Sequence, residues 1–290
     1  RWGLFAQFPA PLTGLLDAVR RRGAMPGDLS LAALGLDVVP ALQPLAYPGH
    51  PAPWPALLTG DGLLPLGVRP LPLGRWPVAG RALDDVLGER GQAPVGRRHP
   101  VIAVGSNASP AQVAYKLLRR GIPATVPMVP VRVRGIAVGC SAHIGRAGYV
   151  AAAPCRADPA AETSLVVSWL DDEQFGAVDE TEFPNYRRAL LTGDGSGLVL
   201  PSGEALDGAY LYVSSFGVLI DPGTGLPRPG GGDQAALLDS LIGGSPELRG
   251  LLGPGPGDWV RKAAGDRTLR ERGTRAFADA GWVLAQPGFP

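Results

Sequence analysis

The chain has 290 residues, 45% of them hydrophobic and 18% charged, with a net charge of +1. These values describe a folded globular protein and exclude a disordered chain. The near-neutral balance argues against a protein that neutralises nucleic-acid phosphates, and no uninterrupted apolar run reaches the length of a membrane-spanning helix.

The first hundred residues are proline-rich, most densely between Pro40 and Pro77. Helical patterning is predicted over Leu12–Arg22 and Arg81–Glu89, with Pro48–Pro55 restricted to extended or turning chain. Trp54–Leu58 and Leu63–Val68 flank Thr59-Gly60-Asp61-Gly62, which reads as a hairpin. Trp2, Trp54, Trp76 and many leucines mark residues 1–100 as ordered. They form an extension packed on the remainder of the chain, not a domain with its own regular core.

From Val101 the pattern becomes regular. Val101–Val104 reads as a buried strand; Ser109 then caps a helix with Pro110 at its first position, and Gly121 stops it after Arg119-Arg120. Alternation over Val129–Val138 and the run Tyr149–Ala153 predict two strands about a turn at Ile144–Gly148. A strand at Ser164–Leu170 precedes a helix opened by the capping pair Asp171 and Gln174, which carries Phe175 and Val178 inward. Strands follow at Tyr186–Leu191 and Ala209–Val213. Gly/Pro-rich loop and helices near Gln234–Leu241 and Arg261–Ala280 complete the chain. Many strands with few intervening helices predict an α+β fold built on a small mixed β-barrel. Its parts are the extension 1–100, a central domain 101–252 and a helical tail 253–290.

Few residues offer chemistry. Gly105-Ser106-Asn107 joins a strand to a capped helix, so it is either an ordinary turn or an anion cradle of backbone N–H groups. It lacks the glycine spacing of a nucleotide loop. Glu182 ends a helix beside Asp179 and Glu180. It is a surface charge or, if desolvated at that terminus, a carboxylate of raised proton affinity suited to general-base work. Asp179 and Glu180 read as solvated. His50, His99 and His143 are scattered without metal-ligand spacing, and no serine sits in a G-x-S-x-G elbow. Cys140 and Cys155 read as buried free thiols. Of Arg187 and Arg188, one is expected to face solvent. Lys116 and Lys262 are the only lysines.

The order of these pieces resembles the γ-glutamylcyclotransferase-like family, which includes γ-glutamylamine cyclotransferases. That family opens with a Tyr-Gly-Ser-Asn loop, here Val104-Gly105-Ser106-Asn107. Its Gly-Val-Val-Trp-like strand is matched loosely by Leu165-Val166-Val167-Ser168-Trp169. Its helix ending in Leu-Asp-x-x-Glu is matched by Val178-Asp179-Glu180-Thr181-Glu182, and Tyr186, Arg187 and the pair Tyr210-Leu211 come next. The resemblance covers roughly Val101 to Leu252. It implies that Glu182 is the catalytic acid/base, that Gly105, Ser106 and Asn107 bind a glutamyl moiety, and that Tyr210 hydrogen-bonds within the cavity. The implied reaction releases 5-oxoproline from a small-molecule γ-glutamyl amine or peptide without metal or cofactor; a cytoplasmic location follows by default from the two unpaired thiols, and the charge balance and hydropathy point to neither nucleic acid nor membrane as a partner. Val104 in place of the loop tyrosine and the long extension depart from the pattern. A non-catalytic binding or scaffold protein on the same fold is the alternative, and a related acyl-removal activity on a secondary metabolite a third. An open cavity joining Gly105–Asn107 to Glu182 would favour an enzyme. Glu182 paired with Arg187 or Arg188, or a cavity plugged by the Trp54–Trp76 segment, would favour the binding protein.

Overall fold

The computed structural model of the protein describes residues 27–192, 197–286, 288 and 289, so Trp2 and the helix expected at Leu12–Arg22 lie outside the described residues. In chain order the hairpin strands β1 (Ala56–Thr59) and β2 (Gly62–Pro65) come first, turning through Gly60 at a φ of +69°. A small ribbon, β3 (Pro77–Val78) with β4 (Arg81–Ala82), leads into helix α1 (Leu83–Glu89). Strand β5 (His99–Ala103) then runs into helix α2 (Pro110–Leu118). Strands β6 (Thr125–Arg134), β7 (Ile136–Ile144), β8 (Val150–Arg156) and β9 (Glu162–Leu170) follow, then helix α3 (Asp172–Glu182). Strands β10 (Tyr186–Thr192), β11 (Gly208–Ser214) and β12 (Val218–Leu219) precede four helices: α4 (Gln234–Gly244), α5 (Pro246–Leu252), α6 (Pro256–Gly265) and α7 (Arg267–Asp279). Strand β13 (Val283–Leu284) closes the order.

The architecture is mixed α+β. A seven-stranded sheet has the order β10-β11-β5-β9-β6-β1-β2, and a four-stranded sheet the order β13-β12-β7-β8. Strand pairing among the described residues leaves both sheets open, with β10 and β2 as the outer strands of the larger one. Residues 27–100 are not merely laid on the sheet: β1 pairs with β6, Leu58 opposite Val126. The strand expected over Val129–Val138 is two strands, because the chain breaks at Gly135 with a φ of +69°, a conformation that glycine adopts without strain.

Strand β5 lies between β9 and β11, and its Val101–Ala103 stretch is buried on both faces, which is why that stretch is continuously apolar and not alternating. Val101 belongs to one apolar cluster, with residues of α2, α3 and β8. Ile102 belongs to a second, with Trp76, Leu83 and Leu87. Helices α4 to α7 bury Leu238, Trp259 and Phe277 in a third cluster against β7 and β8. Each such side chain contributes about 1.5–3 kcal/mol on burial.

Both expected helix starts are present. Ser109 Oγ accepts from the Gln112 N–H, with Pro110 at the first helical position. Asp171 and Gln174 form the reciprocal capping box of α3. Gln174 is fully buried and its amide donates to the carbonyls of Pro123 and Thr125. Its Oε1 accepts from Arg98 Nη1 at 3.0 Å, so the cap of α3 is tied to the end of the N-terminal segment. These two termini set the directions from which α2 and α3 approach one another.

Candidate active site

The loop after β5 and the last turn of α3 meet. Ser106–Ala108 form a single 3₁₀ turn, which delivers Asn107 toward α3. Asn107 Nδ2 donates to Glu182 Oε1 at 3.1 Å. Lys116, from the last turn of α2, donates to the same Oε1 at 2.8 Å and to Asn107 Oδ1 at 2.6 Å. Thr181 Oγ1 lies 3.3 Å from that oxygen, also donating. Side chains of Lys116 and Glu182 are only 10% and 13% exposed. Motif order alone pointed to the meeting of Glu182 with the loop; nothing in it hinted at the ammonium between them.

A cavity of about 690 Å³ joins these residues. Gly105, Ser106 and Asn107 line it with Glu182, and Tyr47, Tyr149 and Tyr186 form much of the remaining wall. Tyr47 and Tyr149 stack with centroids 4.3 Å apart. Tyr47 Oη accepts the Ala152 N–H at 2.7 Å, and Tyr186 Oη donates to the Ala152 carbonyl at 2.9 Å. Gly105 faces the Tyr47 phenol so closely that a β-carbon there would collide with its hydroxyl. Arg119, Arg120 and Arg146 stand toward the cavity's exposed side.

Electrostatics at Glu182 differ from the expected ones. Burial raises its proton affinity, but the Lys116 charge and the bonds from Lys116, Asn107 and Thr181 outweigh it, so its pKa is lowered. The raised affinity expected from the helix terminus is therefore reversed, and Glu182 is ionised at neutral pH. Its three bonds converge on Oε1; among the described residues Oε2 accepts none.

Comparison with family models, curated proteins and solved structures yields no match. The site therefore rests on its own geometry.

Tyr210 is not part of the cavity. It shares a face of β11 with Tyr212 but lies one pleat repeat further along, against Phe175 and His99, with the Arg188 guanidinium over its ring at 5.2 Å. Tyr212 lines the cavity instead and donates to Asp179 Oδ1 at 2.6 Å. Asp179 is not a solvated charge, since it also pairs with Arg188. Glu180 is exposed and pairs with Arg120. Arg187 donates to the Phe289 carbonyl, so neither arginine touches Glu182 in any described contact. Val104 packs with the second apolar cluster.

Besides Lys116, sequence reading missed Tyr47 and His143 as cavity residues. Tyr47 arrives from the proline-rich segment, far from Ala152 in the chain, and no local signal marks it. His143 lies on the inner face of β7, where Ser141 Oγ contacts its Nδ1 at 2.6 Å and Phe216 stacks on its ring. Burial pushes its pKa down to about 4 against the opposing pull of Glu182, so it is neutral at pH 7. Alternation of Ser141 and His143 with apolar neighbours was the one signal that could have found it. Cys140 and Cys155 are buried free thiols. Among the described residues no His, Cys, Asp or Glu cluster could hold a metal ion, and no helix is long and apolar enough to cross a membrane.

Proposed function

We propose that the protein is a γ-glutamylcyclotransferase-like enzyme that releases 5-oxoproline from a γ-glutamyl amine or peptide. The observation that carries this reading is one cavity holding the Gly105–Asn107 loop and a largely buried, ionised Glu182 with one oxygen uncommitted among the described residues. On this reading the two open sheets around the core correspond to the small mixed barrel of that family. The reaction runs in the cytoplasm on a small molecule, without cofactor.

The chemistry asks little of the protein beyond positioning. The substrate's α-nitrogen attacks its own γ-carbonyl carbon, closing a five-membered ring. The bond from that carbon to the leaving nitrogen then breaks. Glu182 Oε2 carries two protons in turn from the α-nitrogen to the leaving nitrogen, one from the α-ammonium before attack and one as the ring closes, so the ring nitrogen keeps one N–H, the leaving group departs as an ammonium and the carboxylate is regenerated. Loop N–H groups face the developing oxyanion or the α-carboxylate. Folding the substrate so that its ends meet supplies several kcal/mol of the barrier reduction. Val104 removes the loop tyrosine of the family pattern, but the Tyr47 phenol lies against Gly105 and supplies a hydroxyl to the same wall.

Wild-type protein incubated with a panel of γ-glutamyl amines and peptides is expected to release 5-oxoproline, and Glu182→Gln to release none. Because Glu182→Gln strips Lys116 of its counter-charge, the variant's cooperative unfolding is recorded alongside. Product from folded Glu182→Gln would overturn the reading.

The alternative is a non-catalytic protein that binds a small zwitterion in the same cavity. The buried Lys116–Glu182 pair favours it, since a preformed ion pair offers both charges to a ligand without any proton transfer. The Trp54–Trp76 segment contributes nothing to the cavity wall, so it does not plug the pocket. Calorimetric binding of γ-glutamyl compounds without turnover would favour this second reading.

A further inference from the structure

The geometry points to Lys116 as a positioning residue: with Asn107 and Thr181 it holds Oε1 of Glu182, leaving Oε2 as the oxygen that receives the substrate's ammonium. This rests on the cyclotransferase reading of the cavity. Three observations support it. First, Lys116 is one of only two lysines in the chain and is 8% exposed, a rare position for an ammonium without a purpose-built partner. Second, its bonds form a closed triangle. Lys116 Nζ reaches Glu182 Oε1 and Asn107 Oδ1, and Asn107 Nδ2 completes the circuit to Oε1. Rotating the carboxylate would break three bonds at once, so the two oxygens cannot exchange roles freely. Third, the triangle spans the strand–loop–helix unit that carries the glutamyl-binding loop. Lys116 and Asn107 are nine residues apart, so the clamp on the carboxylate and the cradle for the substrate move as one body.

The other charges about α3 are differently engaged. Glu180 is held by Arg120 and Asp179 by Arg188, so Lys116 is the cation in contact with Glu182 among the described residues. The further titratable groups that feel Glu182 are His143, Tyr47, Tyr149, Tyr186 and Tyr212. His143 is uncharged at neutral pH, and burial raises every one of these phenols above its ordinary value, so none supplies a competing charge.

The test is a titration of the Glu182 side-chain carboxyl by ¹³C NMR in the free protein, with the pH profile of kcat measured in parallel. In Lys116→Gln the Glu182 midpoint is expected to rise by about one pH unit or more. The acid limb of kcat should rise with it, and kcat should fall at least about tenfold while KM changes less. Lys116→Arg keeps the charge but not the triangle: its titration should stay low while kcat still falls. Should Lys116→Gln not fold, Lys116→Arg carries the test alone, and unchanged kcat in it overturns the assignment. An unshifted Glu182 midpoint in folded Lys116→Gln overturns it whatever the activity. A shifted midpoint in a protein whose wild type makes no 5-oxoproline counts instead against the cyclotransferase reading.

Discussion

The hydroxyl of Tyr47 occupies the space that a β-carbon on Gly105 would fill. A tyrosine from the proline-rich segment thus dictates the residue at the centre of the candidate loop. The glycine is required here by a close approach and not by a left-handed backbone, since its φ is −133°.

Gly105→Ala is therefore expected to lower stability by about 1–3 kcal/mol, the cost of overpacking. Removing the hydroxyl should relieve most but not all of it, because the phenol Cζ lies at an ordinary 3.4 Å from the same point while the Ala152 β-carbon stays at 3.2 Å. In a double-mutant cycle by urea denaturation, Gly105→Ala should cost less in Tyr47→Phe than in the wild type. Equal costs in both backgrounds would contradict the contact.

The Lys116–Glu182 pair is expected to be strongly coupled. Lys116→Met alone leaves a buried carboxylate unpaired and should cost about 3–5 kcal/mol, whereas Lys116→Met with Glu182→Leu should recover much of that loss. Chemical denaturation of the two singles and the double measures the coupling; additive losses would show that the ions do not sense each other.

Stability should fall as the solution is acidified from pH 6.5 toward 4, in part because of His143. Its folded pKa, about 4, lies below the unfolded value of 6.5, so in this window the unfolded chain binds a proton that the native state refuses. The loss amounts to about 3 kcal/mol across the window. Glu182 adds to it at lower pH: its folded pKa is also depressed, so its contribution is present above the unfolded pKa and disappears as pH falls through the folded one. Replacing His143 by Gln should flatten the dependence between pH 6.5 and 4; an unaltered slope would exclude His143 as its source.

Gln174→Leu should destabilise the protein by about 1–3 kcal/mol, because the Pro123 carbonyl loses the amide that donates to it and the Thr125 carbonyl keeps Arg98 but loses the same amide. Arg98 would lose one acceptor in the same stroke. Thermal unfolding of the variant is the check, and an unchanged Tm would show that these groups are satisfied elsewhere.

Features fixed by neighbours in the chain were legible before the structure. Ser109-Pro110, the Asp171/Gln174 box and the apolar run of β5 are local signals, and each marks an element found in the fold. The meeting of Asn107 with Glu182 came from the order of motifs, not from any one of them. What escaped was non-local. Tyr47 reaches Ala152 across 105 residues and Lys116 reaches Glu182 across 66, distances over which no period or cap carries information. Lys116 did leave one trace: it shares a face of α2 with buried Val113, three residues before it, where a lysine needs a partner. Tyr210 illustrates the opposite error. Its face was right, but a two-residue step along β11 separates the cavity from the underside of α3.

The position of β5 bears on how the molecule is made. Both strands that flank it, β9 and β11, come later in the chain. During synthesis, β5 emerges with two open edges and must wait for at least sixty further residues before either is covered. Such an interval exposes an unpaired, sticky segment to other chains. Expression yield should therefore depend on the speed at which the ribosome reaches β9, and slowing translation between the two strands should favour inclusion bodies even though the finished protein is unaltered.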